Sequence, residues 1–137
     1  MAKKISFAEL LAKREQREAD KLRIGMLPIP GGDSGLEARM PPKGAVLELY
    51  GELAAADTAQ EILTCGNHAL YACCPQLQDR ELQTQLGVQD DPMSIIDALF
   101  SLGEQDALGG LALKFLGFIP EKKQDDQQKQ PGDTVKN

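Results

Sequence analysis

Twenty residues restrict this chain more than any others: "RIGMLPIPGGDSGLEARMPP", residues 23–42. Pro28, Pro30, Pro41 and Pro42 each remove a backbone donor and clash with the preceding helical turn, so no helix can run through the segment. Gly31-Gly32-Asp33-Ser34-Gly35 has turn chemistry, with an extended piece on either side, residues 22–28 and 36–40. The pattern predicts a short hairpin there, irregular or confined to a sheet edge by its prolines. Any fold must therefore join one helix before residue 23 to a separate block after residue 42.

That block reads as helices. Hydrophobic residues make up 42% of the 137, yet aromatics are only 4% and Trp is absent. A core of Leu, Ile, Ala and Met favours helix over strand. The spacing predicts a helix from near Pro42, with Ala45, Val46, Leu49, Tyr50, Leu53 and Ala56 on one face. Asp57 or Thr58 caps the next, whose stripe is Ile62, Cys65, Gly66, Ala69, Leu70 and Cys73, with Leu63 and Cys74 at its edge; Pro75 ends it. A short helix over residues 79–86 stops at Gly87. Asp91-Pro92 opens another, "PMSIIDALFS", burying Ile95, Ile96, Leu99 and Phe100. Ser101-Leu102-Gly103-Glu104 is a capping box for a last helix with Leu108, Leu111, Ala112, Phe115 and Ile119 on one face. Gly109 and Gly110 each cost about 1 kcal/mol relative to Ala in a helix, so their expected use is close approach between helices. Upstream, Ser6 and Glu9 form another capping box, for a helix reaching about residue 22. Its apolar face, Phe7, Leu10 and Leu11, gives way to charge, as on a solvated arm or one that waits for a partner.

The expectation is all-α: a single domain over residues 1–120, a bundle of five to six helices with a hairpin inserted near residues 22–40. Residues 121–137 hold one apolar residue, Val135, too little to offset chain entropy; they read as a disordered polar tail. The net charge of −6 is unevenly spread. Residues 1–23 carry seven Lys/Arg against four Asp/Glu, and residues 24–120 carry four against thirteen. An acidic middle argues against nucleic acid as partner, since phosphate contacts need clustered cations. No apolar run reaches the length of a membrane span and no secretory signal opens the chain. Three cysteines without such a signal fit a reducing compartment, the cytoplasm.

"YACCPQLQDRELQTQLG", residues 71–87, with His68 just upstream, invites a metal or redox reading. Structural zinc wants four Cys/His ligands in close pairs. Cys65 and His68 are three apart, but Cys73 lies roughly 12 Å along the helix from Cys65 and no fourth ligand has the right spacing. Cys65 and Cys73 are too far apart for a disulfide, and a Cys73–Cys74 bridge would strain the peptide. Buried helix-face cysteines and a surface His account for the stretch. A hydrolase would need His68 as base beside an activated nucleophile, and none is placed there. Gly31 to Gly35 lacks the Lys of a phosphate loop and reads as a turn. No catalytic residue, metal or cofactor is assigned.

In order and spacing, the second half resembles the small phage tail assembly chaperones of the XkdN-like type. The marks are Pro75, Leu77, Asp79, Glu81-Leu82, Gly87, Pro92, Leu102-Gly103-Glu104, Leu108-Gly109 and Gly117-Phe118, across about residues 62–118. The first half follows more loosely. The resemblance implies a non-enzymatic protein of the host cytoplasm, absent from the mature virion. Its implied partner is the tape measure protein, a long helical chain that it keeps soluble while tail tube subunits are recruited. Such a chain exposes an apolar stripe until the tube encloses it, and helix-in-groove docking suits it. The candidate partner-binding residues are Phe7, Leu10 and Leu11 of the first helix and Ile96, Phe100 and Phe115 around the last two. A generic helical adaptor or regulator is the alternative, and a zinc-dependent or thiol enzyme the third reading. Glu121-Lys122-Lys123 could be encoded GAA AAA AAG, a slippery run at which a frameshift would make a longer product; Ala2-Lys3-Lys4 could carry the same bases.

Overall fold

The computed structural model describes residues 3–119. In chain order it has α1 (Phe7–Lys21), β1 (Ile24–Pro28), β2 (Gly35–Arg39), α2 (Lys43–Ala55) and α3 (Ala59–Cys73), then a 3₁₀ turn (Pro75–Gln78), α4 (Arg80–Gln85), α5 (Ser94–Leu99) and α6 (Leu102–Phe115). The protein is mostly helical with one small antiparallel hairpin. The expected disordered tail and the frameshift position lie outside the described residues.

Local chemistry sets the helix starts. Ser6 caps α1, Thr58 caps α3 and Ser101 caps α6. In each, the cap hydroxyl accepts from the amide three residues on, and the glutamate there accepts from the cap amide. Each box satisfies two backbone donors that a helix start leaves orphaned. The two amides Asp57 N–H and Thr58 N–H hold the Glu61 carboxyl below the usual carboxylate range. Asp79 caps α4 through the Leu82 amide. Asp91 does not cap α5 as expected. Its carboxylate accepts from the Ser94 hydroxyl at 2.8 Å, in a turn before the helix, and Met93 stands at the cap without a side-chain bond.

The hairpin forms as the breakers predict. Ile24 pairs with Arg39, Met26 with Glu37 and Leu27 with Leu36. Its turn closes through Ile29 N–H to Ser34 C=O at 2.9 Å, with Gly31 at φ 84°. Leu27, Leu36 and Ala38 point into the core. There they join Leu70, Cys73, Leu77, Ile95, Ile96, Leu108, Ala112 and Leu113, all buried.

The most extensive contact is between α3 and α6. Gly66 and Gly109 make it possible: a Cβ built on Gly109 would lie 3.0 Å from the Gly66 carbonyl carbon, and one on Gly66 would lie 3.2 Å from Gly109 Cα. The backbones are nearly in touch, so Gly109 has the role expected of it. Gly110 does not; a Cβ there would meet nothing within 4 Å.

Other expectations need correcting. On α2 only Leu49 is buried, and Tyr50 is exposed, set edge-on to Phe118 at 5.5 Å. Ile62 and Leu99 are exposed, because helical spacing fixes direction and not how much of the molecule lies that way. Cys74 is fully buried rather than at an edge. The chain turns extended there (φ −110°, ψ 100°) and no longer follows the helical projection. Ile119 lies beyond α6, after a turn at Gly117 (φ 87°) in which Phe118 N–H bonds Leu113 C=O. That positive φ is the left-handed region glycine enters freely.

Candidate partner-binding surface

α1 buries no residue at all. Phe7 is 78% exposed, Leu10 51% and Leu11 48%, and all three lie within one turn and a half of the start. Beyond them the helix carries Lys13, Arg14 and Arg17 with Glu15 and Glu18. An isolated helix of fifteen residues is marginal in water, and its apolar face is usually what a partner covers.

The three other candidates do not join this face. Ile96 is 1% exposed and Phe100 is buried; both belong to the core. Phe100 follows the end of α5, and its backbone carbonyl accepts from the Gln105 side chain at 3.0 Å. Phe115 is half-buried and spoken for. A Cβ on Gly25 would come 2.9 Å from its ring, and the Arg23 guanidinium stands 4.5 Å over the ring centroid while also donating to the Phe115 carbonyl. Phe115 clamps the hairpin to α6. The expected groove around α5 and α6 is thus a packed core.

Two apolar surfaces were not visible as such in the sequence. Ile24 and Met26 face outward from β1 and, with Leu22, are well exposed. Their alternation with Gly25 and Leu27 is the signal that could have shown it. The other is a groove between α3 and α6, lined by Ala59, Leu63 and Leu102 at one end and by Gly110 and Ile119 further along, with Asp106 beside both. Leu102 is 68% exposed. No sequence period marks such a groove, since it is a property of two helices together.

The cysteine and histidine stretch resolves into packing. Cys65, Cys73 and Cys74 are free and buried. Burial pushes the Cys73 and Cys74 thiols up to about 12, and the nearby Glu52 adds to burial in raising Cys65. Thiols so placed are poor nucleophiles, because the thiolate is the reactive form. His68 is partly buried, its Nδ1 2.7 Å from Glu52 Oε2 on α2, a tie between α2 and α3. Among the described residues, no three His, Cys, Asp or Glu side chains gather as metal ligands would. No helix among them is long and apolar enough to cross a membrane.

Compared with known protein families, with curated proteins and with solved structures, the chain matches none.

Proposed function

We propose that this chain is a non-enzymatic tail assembly chaperone. It binds a tape measure protein in the host cytoplasm and keeps it soluble while tail tube subunits are recruited. The observation that carries this reading is α1, a capped amphipathic helix that buries none of its own residues and holds Phe7, Leu10 and Leu11 in solvent. Such a helix is suited to a long helical partner, with which it can share apolar stripes. The order of helix punctuation across residues 62–118, which resembles the XkdN-like chaperones, supports a tape measure protein as that partner. A helical adaptor would use the same surface, and only the partner separates the two.

Co-expression with the long helical tail protein of the same phage or prophage tests the reading. The expected result is co-elution on size exclusion, solubility of the long protein only in company, and loss of both on Phe7→Asp with Leu11→Asp. Equal insolubility of the long protein with and without this chain would overturn it.

A further inference from the structure

The two strands of the hairpin have different outer edges. Ile29 N–H bonds Ser34 C=O at 2.9 Å, which sets the alternation along the ladder: Leu27 with Leu36, and Gly25 with Ala38, exchange backbone hydrogen bonds. The N–H and C=O groups of Ile24 and Met26 therefore point sideways, away from β2. On β2 the sideways N–H of Glu37 is already taken by the Gln76 side-chain carbonyl at 2.9 Å, and the strand lies against the 3₁₀ turn. Among the described residues, no turn or loop group takes the N–H of Ile24 or Met26. Beside that edge runs a crevice between β1 and α6, walled by Met26, Leu111 and Phe115 and carrying Arg23 and Lys114. None of the described residues that line it is acidic, although residues 24–120 hold thirteen acids against four cations. Lys114 makes no ion pair among the described residues. Arg23 uses one N–H on the Phe115 carbonyl and keeps the others.

We propose that β1 takes a third strand on this edge: an extended segment of another protein, with alternate apolar residues and an acidic side chain. The open backbone specifies a strand, because a strand presents donors and acceptors at the spacing of Ile24 and Met26. The two cations specify an acidic one, by charge complementarity in a block that otherwise repels acids. One row of incoming side chains lies over Leu111 and the Phe115 ring, and the other extends the exposed apolar row of Ile24 and Met26. A second copy of this chain fits the edge poorly. Antiparallel pairing of two β1 strands centred on Met26 sets Ile24 against Pro28 of the second copy, which has no N–H for the Ile24 carbonyl. It also brings a second Arg23 to a cationic crevice. The inference does not rest on the tail-assembly reading; it gives the chain a surface for extended segments, apart from the helical one on α1.

Fluorescence anisotropy of the full chain with a labelled synthetic peptide, Glu-Thr-Val-Thr-Val-Thr-Glu with blocked ends, tests it. One control peptide carries Lys for both Glu, and another carries Pro for the central Thr. The acidic peptide binds saturably, and each control binds at least about tenfold more weakly. Met26→Pro deletes the sideways N–H and leaves the bonds to β2, since proline is tolerated at the open edge of a strand. It weakens the acidic peptide at least about tenfold, whereas Met26→Ala keeps the N–H and loses less. Lys114→Glu reverses one charge outside the ladder and so reads the preference independently, should Met26→Pro disturb the hairpin. It shifts the ratio of the two affinities toward the lysine peptide at least about tenfold. An acidic peptide that fails to bind at millimolar concentration overturns the proposal, as do equal affinities for the acidic and lysine peptides. So does a Met26→Pro variant, folded by circular dichroism, that binds as tightly as wild type. A wild type that dimerises in sedimentation velocity through an interface lost in Met26→Pro overturns the choice of occupant and gives the edge to a second copy.

Discussion

At Gly66 and Gly109 two helices meet backbone to backbone, and one methyl group is enough to disturb them. Gly109→Ala gains about 1 kcal/mol of helix propensity but must push α3 and α6 apart, at about 1–3 kcal/mol for overpacking. Net destabilisation is expected. The neighbouring Gly110→Ala, with open space at its Cβ, should stabilise by up to about 1 kcal/mol. Urea unfolding of the two variants under conditions where the chain is monomeric decides it; equal effects would mean that the contact is not the constraint. The sequence shows two adjacent glycines of equal apparent cost, and nothing local tells them apart. Only the position of α3 does. The cysteines are the opposite case. Their burial was legible from the stripe, and the structure adds how deep Cys74 lies. In the native state at mildly alkaline pH, an aromatic disulfide reagent should find no fast-reacting thiol, and three should appear on unfolding.

Among the elements, α1 and α3 open with the same capping box and meet different fates. α3 is the centre of the core, and α1 contributes no buried residue. Removing residues 1–21 should therefore shift the unfolding free energy of the monomer by no more than about 0.5 kcal/mol. Circular dichroism during urea unfolding checks it; a larger loss would mean that α1 packs on the body. The start of α3 should respond to acid. Glu61 titrates lower in the folded chain than in the unfolded one, because its carboxylate accepts from the Asp57 and Thr58 amides. Its contribution is complete above the usual carboxylate range and is lost as pH falls through the lowered folded value. Glu61→Gln, which keeps a hydrogen-bonding side chain but cannot titrate, should flatten part of the acid limb of the thermal midpoint. An unchanged acid limb would show that the box does not sense pH. Three helix starts were readable because caps are local chemistry: Ser6, Thr58 and Ser101 each bond within three residues, whereas Asp91, read as the cap of α5, bonds Ser94 in the turn before it. Depth was not readable. Ile62 and Leu99 have the right spacing and the wrong surroundings, and the 3₁₀ turn after Pro75 carries no periodic signal.

For the whole molecule, the hairpin is joined to the last helix by residues far apart in sequence. The Arg23 side chain reaches the Phe115 carbonyl across 92 residues, and the Phe115 ring lies on Gly25. Arg23→Ala removes the ring contact and the hydrogen bond together, for about 1–2 kcal/mol at this exposed site. Urea unfolding of the variant measures it, and no change would mean that Gly25 against Phe115 suffices. The bundle and its inserted hairpin were legible in the breaker segment and the helical periods. The partner surface was half legible. α1 announces itself by three apolar residues before a run of charge, whereas Ile96, Phe100 and Phe115, read both as apolar helix faces and as the lining of a partner groove, belong to the interior or to the clamp. An apolar residue at the right period is compatible with either side of a helix boundary until its neighbours are placed.

The span from Arg23 to Phe115 also has a meaning in time. A ribosome adds about 5–20 residues per second. The hairpin, which ends at Arg39, is thus complete several seconds before α6, which ends at Phe115, has been made: roughly 4–15 s at that rate. Through that interval Leu27 of β1 has no α6 to lie against, while β2 can already meet the 3₁₀ turn. A nascent chain of this protein holds its first strand without its helix until nearly the last of its described residues is synthesised, and slow translation lengthens the wait.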